Sequence, residues 1–426
     1  MSPRTIAVIV VLALCAAIAA RDHRHHAWLL GALLPLDTIA HVSPLWFDGA
    51  RYIAMAWLAV RLKPNISERN EAAIGWLAGL IILLGVWQGA FALWRHDGTA
   101  REVASAIIVA TPFCLLLARR VSVHRFVFGG FLTGATVSAL VVISQFLGFD
   151  AITPGGPDGR RNPGLGGSTA ITTWHMAIAL IIAGFLVIHP NTSRLARVLA
   201  ASAALACGAG LLLCGAQGGL IGLAAAAVAT ALAAPRAVTS RWRNTRSLLI
   251  AAAAVLGIVG TVVAVGIWTD APTVSGVLGE GDYRNERARI ELNTAAVEEI
   301  AAHPLIGIGT DVFEDTYGLM PHLLPLDSGV ASGIVGLLLS SVILVYAAGL
   351  LLRARPPTPS MVTWFGAAMA GALLVNSLTE RDGAIIGFSR SPLLFMALVA
   401  ARGELWTECA AATSTVAVGI AERSAT

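Results

Sequence analysis

Three groups of polar residues stand out from a chain that is otherwise mostly apolar. The first is Arg160-Arg161-Asn162-Pro163-Gly164-Leu165-Gly166-Gly167-Ser168. Two guanidinium groups beside a glycine-rich entry to a helix suit a phosphate-like anion. Arginine offers a planar fork of donors, and a helix start adds free N–H groups. An ordinary turn with interfacial arginines would read the same way. The second group is Arg284-Asn285-Glu286-Arg287-Ala288-Arg289. Cations at a helix start oppose its dipole, so either an anion or the nearby Glu280 and Asp282 must offset them. A solvated face of Glu–Arg pairs fits equally well. The third is His322, in Met320-Pro321-His322-Leu323. Histidine is the natural general base near neutral pH, although a lone histidine is more often structural. Asp327 and Glu314 are alternative bases. The acidic run Asp311 to Asp315 could take a metal, but such runs are usually solvated. His23, His25 and His26 resemble a metal cluster only on paper, because they fall beside a membrane span.

These residues must be held by a membrane scaffold. The chain has 426 residues, of which 56% are hydrophobic and 13% charged, against about 25% charged in soluble domains. A transmembrane helix needs about 20 mainly apolar residues, and such runs recur throughout. They are expected near 5–20, 27–42, 46–60, 72–94, 102–119, 124–148, 168–188, 196–214, 218–234, 247–268, 330–352, 360–378 and 385–402. The fold class is therefore all-α: a single polytopic membrane domain over 1–426 with about twelve spans. The segment 27–60 is broken by Pro35, Asp37, Pro44, Asp48 and Arg51, which blurs the count. The first run, Thr5 to Ala20, is followed by Arg21-Asp22-His23-Arg24 rather than a small-residue cleavage site, and is read as retained.

Arg61 and Lys63, then Arg119, Arg120 and Arg125, then Arg194 and Arg197, then Arg236 to Arg246, then Arg353 and Arg355 fall at alternate connections. By the positive-inside rule these are cytoplasmic. The loops 149–167 and 269–329 then lie on the opposite side, with all three polar groups in or beside them. The net charge of +4 reports this topology and indicates no nucleic-acid partner. The five cysteines show no metal or disulfide spacing and read as small buried hydrophobes. The large loop 269–329 has helical periodicity over about 285–302, where Ile290, Ala296, Val297 and Ile300 can share a face. Pro304, Gly307 and Gly309 stop that helix.

The stretch Arg289-Ile-Glu-Leu-Asn293, leading through a helix to His303-Pro304-Leu305-Ile306-Gly307-Ile308-Gly309, resembles the large periplasmic loop of the O-antigen ligase and polymerase superfamily. That family carries an Arg, a helix, and a His-Pro-Leu-x-Gly-x-Gly turn. A His and a Gly-x-x-Gly follow at a fixed interval, matched here by His322 and Gly333-Ile334-Val335-Gly336. Arg161-x-x-Gly164-x-x-Gly167 is similar to an upstream Arg–Gly motif. The chain departs from the pattern at Leu323, where the family has Asn, Ser or Gln. It departs again at Ala216-Gln217-Gly218, where the family has Ser-Arg-Gly, and it lacks the Asn that often follows the upstream motif. The resemblance covers about 155–380 in order and spacing.

What the resemblance implies is a glycosyltransferase with a GT-C-like membrane fold, in the bacterial inner membrane with its active site facing the periplasm. The donor would be an undecaprenyl-diphosphate-linked O-antigen. The acceptor would be the lipid A–core oligosaccharide for a ligase, or a second lipid-linked glycan for a polymerase. No cofactor, metal or nucleotide is expected. On this reading His322, Arg289 and Arg161 are catalytic, and Arg160, Arg284, Arg287 and Gln217 bind the diphosphate or substrate. The main rival is a lipid-linked glycan transporter, which would place ionisable groups nearer the membrane midplane. Intramembrane proteolysis would need a partner for Ser377 or Ser391, and no residue supplies one.

Overall fold

The computed structural model describes residues 22–36, 55–149 except 56, 59 and 65, 162–233 except 167, 284–353, 361–379 and 390–403. Among them are twelve helices and no strand. We number these α1 (His23–Leu33), α2 (Glu68–Arg95), α3 (Gly98–Ala118), α4 (Val121–Phe146), α5 (Thr169–Ile188), α6 (Arg194–Leu213), α7 (Gly218–Ala233), α8 (Arg284–Ala302), α9 (Thr310–Tyr317), α10 (Leu324–Leu352), α11 (Met361–Asn376) and α12 (Ser391–Ala401). Six of them, α2 to α6 and α10, are long and apolar enough to cross a membrane. The protein is a multi-pass membrane protein. The expected spans at 5–20, 46–60 and 247–268 lie wholly or largely outside the described residues, as does the second half of 27–42. The 330–352 expectation needs correction: the helix starts earlier, at Leu324, and is broken.

Local chemistry sets the helix ends. Glu68 and Glu71 occupy the first turn of α2 and Arg95 its last, which matches the helix dipole at both ends. His96 then takes a left-handed conformation (φ 59°) and stops the helix. Asp97 caps α3 by accepting from the Ala100 N–H at 2.7 Å. Ser168 and Ser193 cap α5 and α6 through Ile171 N–H (3.1 Å) and Ala196 N–H (3.2 Å). Glycines allow close crossings: a Cβ on Gly130 would lie 1.7 Å from the Trp28 carbonyl oxygen, so α1 and α4 meet backbone to backbone.

The bundle has two polar ends. At one, the Arg119 guanidinium pairs with Glu71, and Arg120 Nε donates to the Leu62 carbonyl at 2.9 Å. Tyr346, late in α10, donates to the Ala73 carbonyl, early in α2, at 3.3 Å. The ends Arg95–Asp97, Gln145, Leu213 and Leu324 lie at the other, because consecutive spans run in alternate directions. The described part of the large loop, α8 and α9, docks there. Leu292, Ala296 and Ile300 of α8 form a small core with Phe313, Met320 and Val330. This corrects the expected apolar face, since Ile290 and Val297 are 67% and 54% exposed.

Candidate functional site

The His303–Gly309 turn and the Gly333–Gly336 motif form one junction. α10 is not continuous: Ser332 (φ −153°, ψ 26°) and Gly333 (φ 73°, ψ −163°) leave helical geometry. Gly333 occupies a region open essentially to glycine alone. A break of this kind strands backbone groups that a membrane cannot solvate, and five groups around it have a specific partner. Ser328 O accepts from its own helix's Ser332 hydroxyl at 3.0 Å. Val330 O accepts from Gly309 N–H at 3.0 Å, and Ile334 N–H donates to Pro304 O at 2.8 Å. Ala331 O accepts from Arg95 Nη1 at 3.3 Å, and Ser332 O from Trp87 Nε1 at 3.3 Å. The glycines are required by contact: a Cβ on Gly307 would sit 2.3 Å from Val330 O, and one on Gly333 2.6 Å from Pro304 O. The turn therefore enters the break with no room for side chains.

Arg95 also holds the turn itself. Its Nη2 donates to Gly307 O at 2.7 Å and to Ile306 O. Beside it two carboxylates serve two helix starts. Asp97 accepts from Thr310 N–H (2.5 Å) at the start of α9 as well as from α3. Asp311 accepts from Gly98 N–H (2.6 Å) and Thr99 N–H (3.2 Å) at the start of α3. The Thr99 hydroxyl first, and then these backbone N–H groups, hold the Asp311 carboxyl below its usual value. Asp311 is therefore not simply a solvated member of the acidic run but is committed to capping α3. Among the described residues no group of His, Cys, Asp and Glu is arranged to hold a metal ion.

The upstream motif is also a junction. Asn162 Nδ2 donates to Leu213 O at 2.9 Å, and its own N–H to Cys214 O at 3.2 Å. The Cys214 thiol returns a bond to Asn162 O at 3.1 Å. Gly164 (φ 58°) donates to Gln145 Oε1 at 3.0 Å, and Leu165 N–H to Ser138 Oγ at 2.9 Å. The turn is thus stitched to the hinge between α6 and α7. Gln217 stands in that hinge, half-buried, its carbonyl accepting from Leu220 N–H at 3.0 Å. Arg160 and Arg161 lie outside the described residues.

Arg289 lies on α8 with its side chain exposed. It continues, one turn earlier, the stripe Leu292–Ala296–Ile300, whose far end packs on Gly329 of α10. Arg284 and Arg287 belong to the first turns of α8, where only the backbone is described. His322 is half-buried between the anchored Met320 and the start of α10. That start is fixed by Leu324 N–H donating to Ser377 O at 3.2 Å. Next to Ser377, the buried Arg390 donates through Nη1 to Asn376 Oδ1 at 2.7 Å. The structure thus gathers His322, the turn that ends the Arg289 helix, Gln217 and the residue after Arg161 at one end of the bundle.

Sequence reasoning missed Arg95 and Arg390. The signal was available, since each is a cation at the edge of a long apolar run, where placement is costly unless it is used. No protein-family model matches the chain, and no curated protein matches it.

Proposed function

We propose that the chain is an inverting, metal- and nucleotide-independent glycosyltransferase of the O-antigen ligase kind. It would move a glycan from undecaprenyl diphosphate to the lipid A–core oligosaccharide at the periplasmic face of a bacterial inner membrane. The single observation that carries the reading is the junction of the His303–Gly309 turn with the break at Gly333. Two of the sequence motifs that carry the resemblance are parts of one construction, with the Arg289 helix leading into it and His322 eleven residues before Gly333 along the chain.

In this mechanism a hydroxyl oxygen of the acceptor sugar attacks the anomeric carbon of the donor. The bond from that carbon to the phosphate oxygen breaks, and undecaprenyl diphosphate leaves with the electron pair. His322 takes the hydroxyl proton. Arg289 and Arg161, aided by Arg160, Arg284, Arg287 and Gln217, stabilise the charge that grows on the diphosphate. Attack opposite the leaving group inverts the anomeric centre.

The test is transfer by purified protein supplied with lipid-linked glycan, with and without lipid A–core. Arg289→Ala, Arg161→Ala and His322→Ala should each lower transfer about 100-fold or more while the protein still inserts. Normal transfer by His322→Ala removes the base assignment. Chain growth without lipid A–core makes the protein a polymerase, and movement of intact donor across vesicles without bond transfer makes it a transporter.

A further inference from the structure

We propose that Arg95 is a positioning residue that locks the extramembrane layer to the broken helix α10, and so sets the Arg289 helix against the His322 segment. The catalytic half of this inference rests on the function proposed above; the lock itself rests on geometry alone.

The guanidinium spans two pieces of chain that are otherwise paired only through short backbone contacts, Gly309 N–H to Val330 O and Ile334 N–H to Pro304 O, and the small apolar core around Ile300 and Val330. Its Nη2 reaches Ile306 and Gly307, in the turn that ends α8, with the Gly307 bond at 2.7 Å. Its Nη1 reaches Ala331, the last helical residue before the break, at 3.3 Å. α8 runs into that turn, which is closed by Gly307 N–H donating to His303 O at 2.8 Å. The segment carrying His322 runs into the first half of α10, which ends at Ala331. One planar fork therefore ties the end of each candidate catalytic segment to the other. A fork suits this task better than an ammonium, because its donors are held in fixed directions and the charge is permanent.

Arg95 is itself held firmly. It closes α2, and the chain then turns at His96 and Asp97. Asp97 and Asp311 exchange caps across the same corner, and Trp87, two turns earlier on α2, takes the next carbonyl at the break. The α2–α3 corner thus supplies a rigid post. Misplacement of reacting groups by about 1 Å can cost about 100-fold in rate, so a post of this kind acts on turnover without touching substrate.

The experiment uses the full chain in lipid nanodiscs with two variants, Arg95→Ala and Arg95→Lys. Hydrogen exchange is read at the amides of Gly307, Gly309 and Ile334, and transfer kinetics are measured with lipid-linked donor. Arg95→Ala should speed exchange at those three amides about 10-fold or more and lower kcat about 100-fold, with KM for the donor little changed. Arg95→Lys should recover part of both. If Arg95→Ala does not fold, Arg95→Lys is read alone and should show the same changes at smaller size. Wild-type exchange at all three amides in the readable variant overturns the lock. Faster exchange with wild-type kcat, or a kcat loss matching the fall in folded protein, overturns the positioning role. If the wild-type chain transfers no glycan, the function proposed above falls and the lock stands or falls on exchange.

Discussion

The turn at 162–168 and the turn at 303–309 use similar residues for a similar purpose and are secured differently. Both put glycines where the backbone must approach a neighbour, and both lie beside arginines. At 162–168 the glycine's nearest neighbours are side chains, although Asn162 also meets the backbone carbonyls of Leu213 and Cys214. Gln145, Ser138 and the Cys214 thiol all bond the turn's backbone, and a Cβ on Gly164 would meet Val142 Cγ2 at 2.8 Å and Ser138 Oγ at 2.9 Å. At 303–309 the neighbours are backbone carbonyls of a broken helix, and one arginine from a third helix completes the set. Side chains can change rotamer and backbone cannot, so the second junction should tolerate far less. Gly164 and Gly307 each solve a packing problem at their turn.

That contrast can be broken by matched substitutions. The largest effect is expected for Gly333→Ala or Gly307→Ala. Left-handed backbone adds about 1–2 kcal/mol and a carbonyl clash about 1–3 kcal/mol, so thermal unfolding in detergent should show a loss of roughly 3 kcal/mol or failure to fold. Gly164→Ala should cost roughly 2 kcal/mol, since Val142 and Ser138 can shift; a loss equal to that of Gly333→Ala would erase the distinction. Asn162→Ala should cost about 1–2 kcal/mol by removing the donor to Leu213, with Gln217 and the hinge loosened but the α10 break unchanged in exchange.

The smallest effect concerns pH. The folded Asp311 carboxyl lies below its ordinary value of 3.8. Its contribution is therefore complete above that value and is lost as pH falls through the lower folded value. Asp311→Asn should be less stable than wild type at neutral pH, and the two unfolding curves should converge only in stronger acid. Convergence already at mildly acidic pH would contradict the lowered value.

The spans were legible because apolar length is a property of composition. The helices near 72–94, 102–119, 124–148, 168–188, 196–214 and 218–234 appear within a few residues of where hydropathy puts them. The break in α10 was not legible, because Ser332 and Gly333 sit inside a run that is apolar on both sides and the cause of the break is a distant turn. Of the expected apolar face of α8, Ala296 and Ile300 are buried, while Ile290 and Val297 are exposed and Leu292 completes the stripe. Ile290 and Val297 looked equivalent to Leu292 until α10 determined which side was covered. Arg95 was visible as a cation at the edge of an apolar run, but its task was not: its partners are carbonyls 211 to 236 residues away, and a carbonyl has no sequence signature.

The caps exchanged by Asp97 and Asp311 also bear on the order of assembly. The start of α3 emerges from the ribosome with Gly98 and Thr99 N–H groups whose acceptor is 213 and 212 residues further along the chain. Asp97 meets the next two N–H groups, but these first two donors call for some partner meanwhile, and water at the membrane surface is the one at hand. The α2–α3 hairpin must therefore insert with an open, hydrated corner and wait. Docking of α9 expels that water late in synthesis, satisfying both helix starts in one event. A chain truncated before Asp311 should leave this corner wet and unlatched, and quality control in the cell could recognise it there.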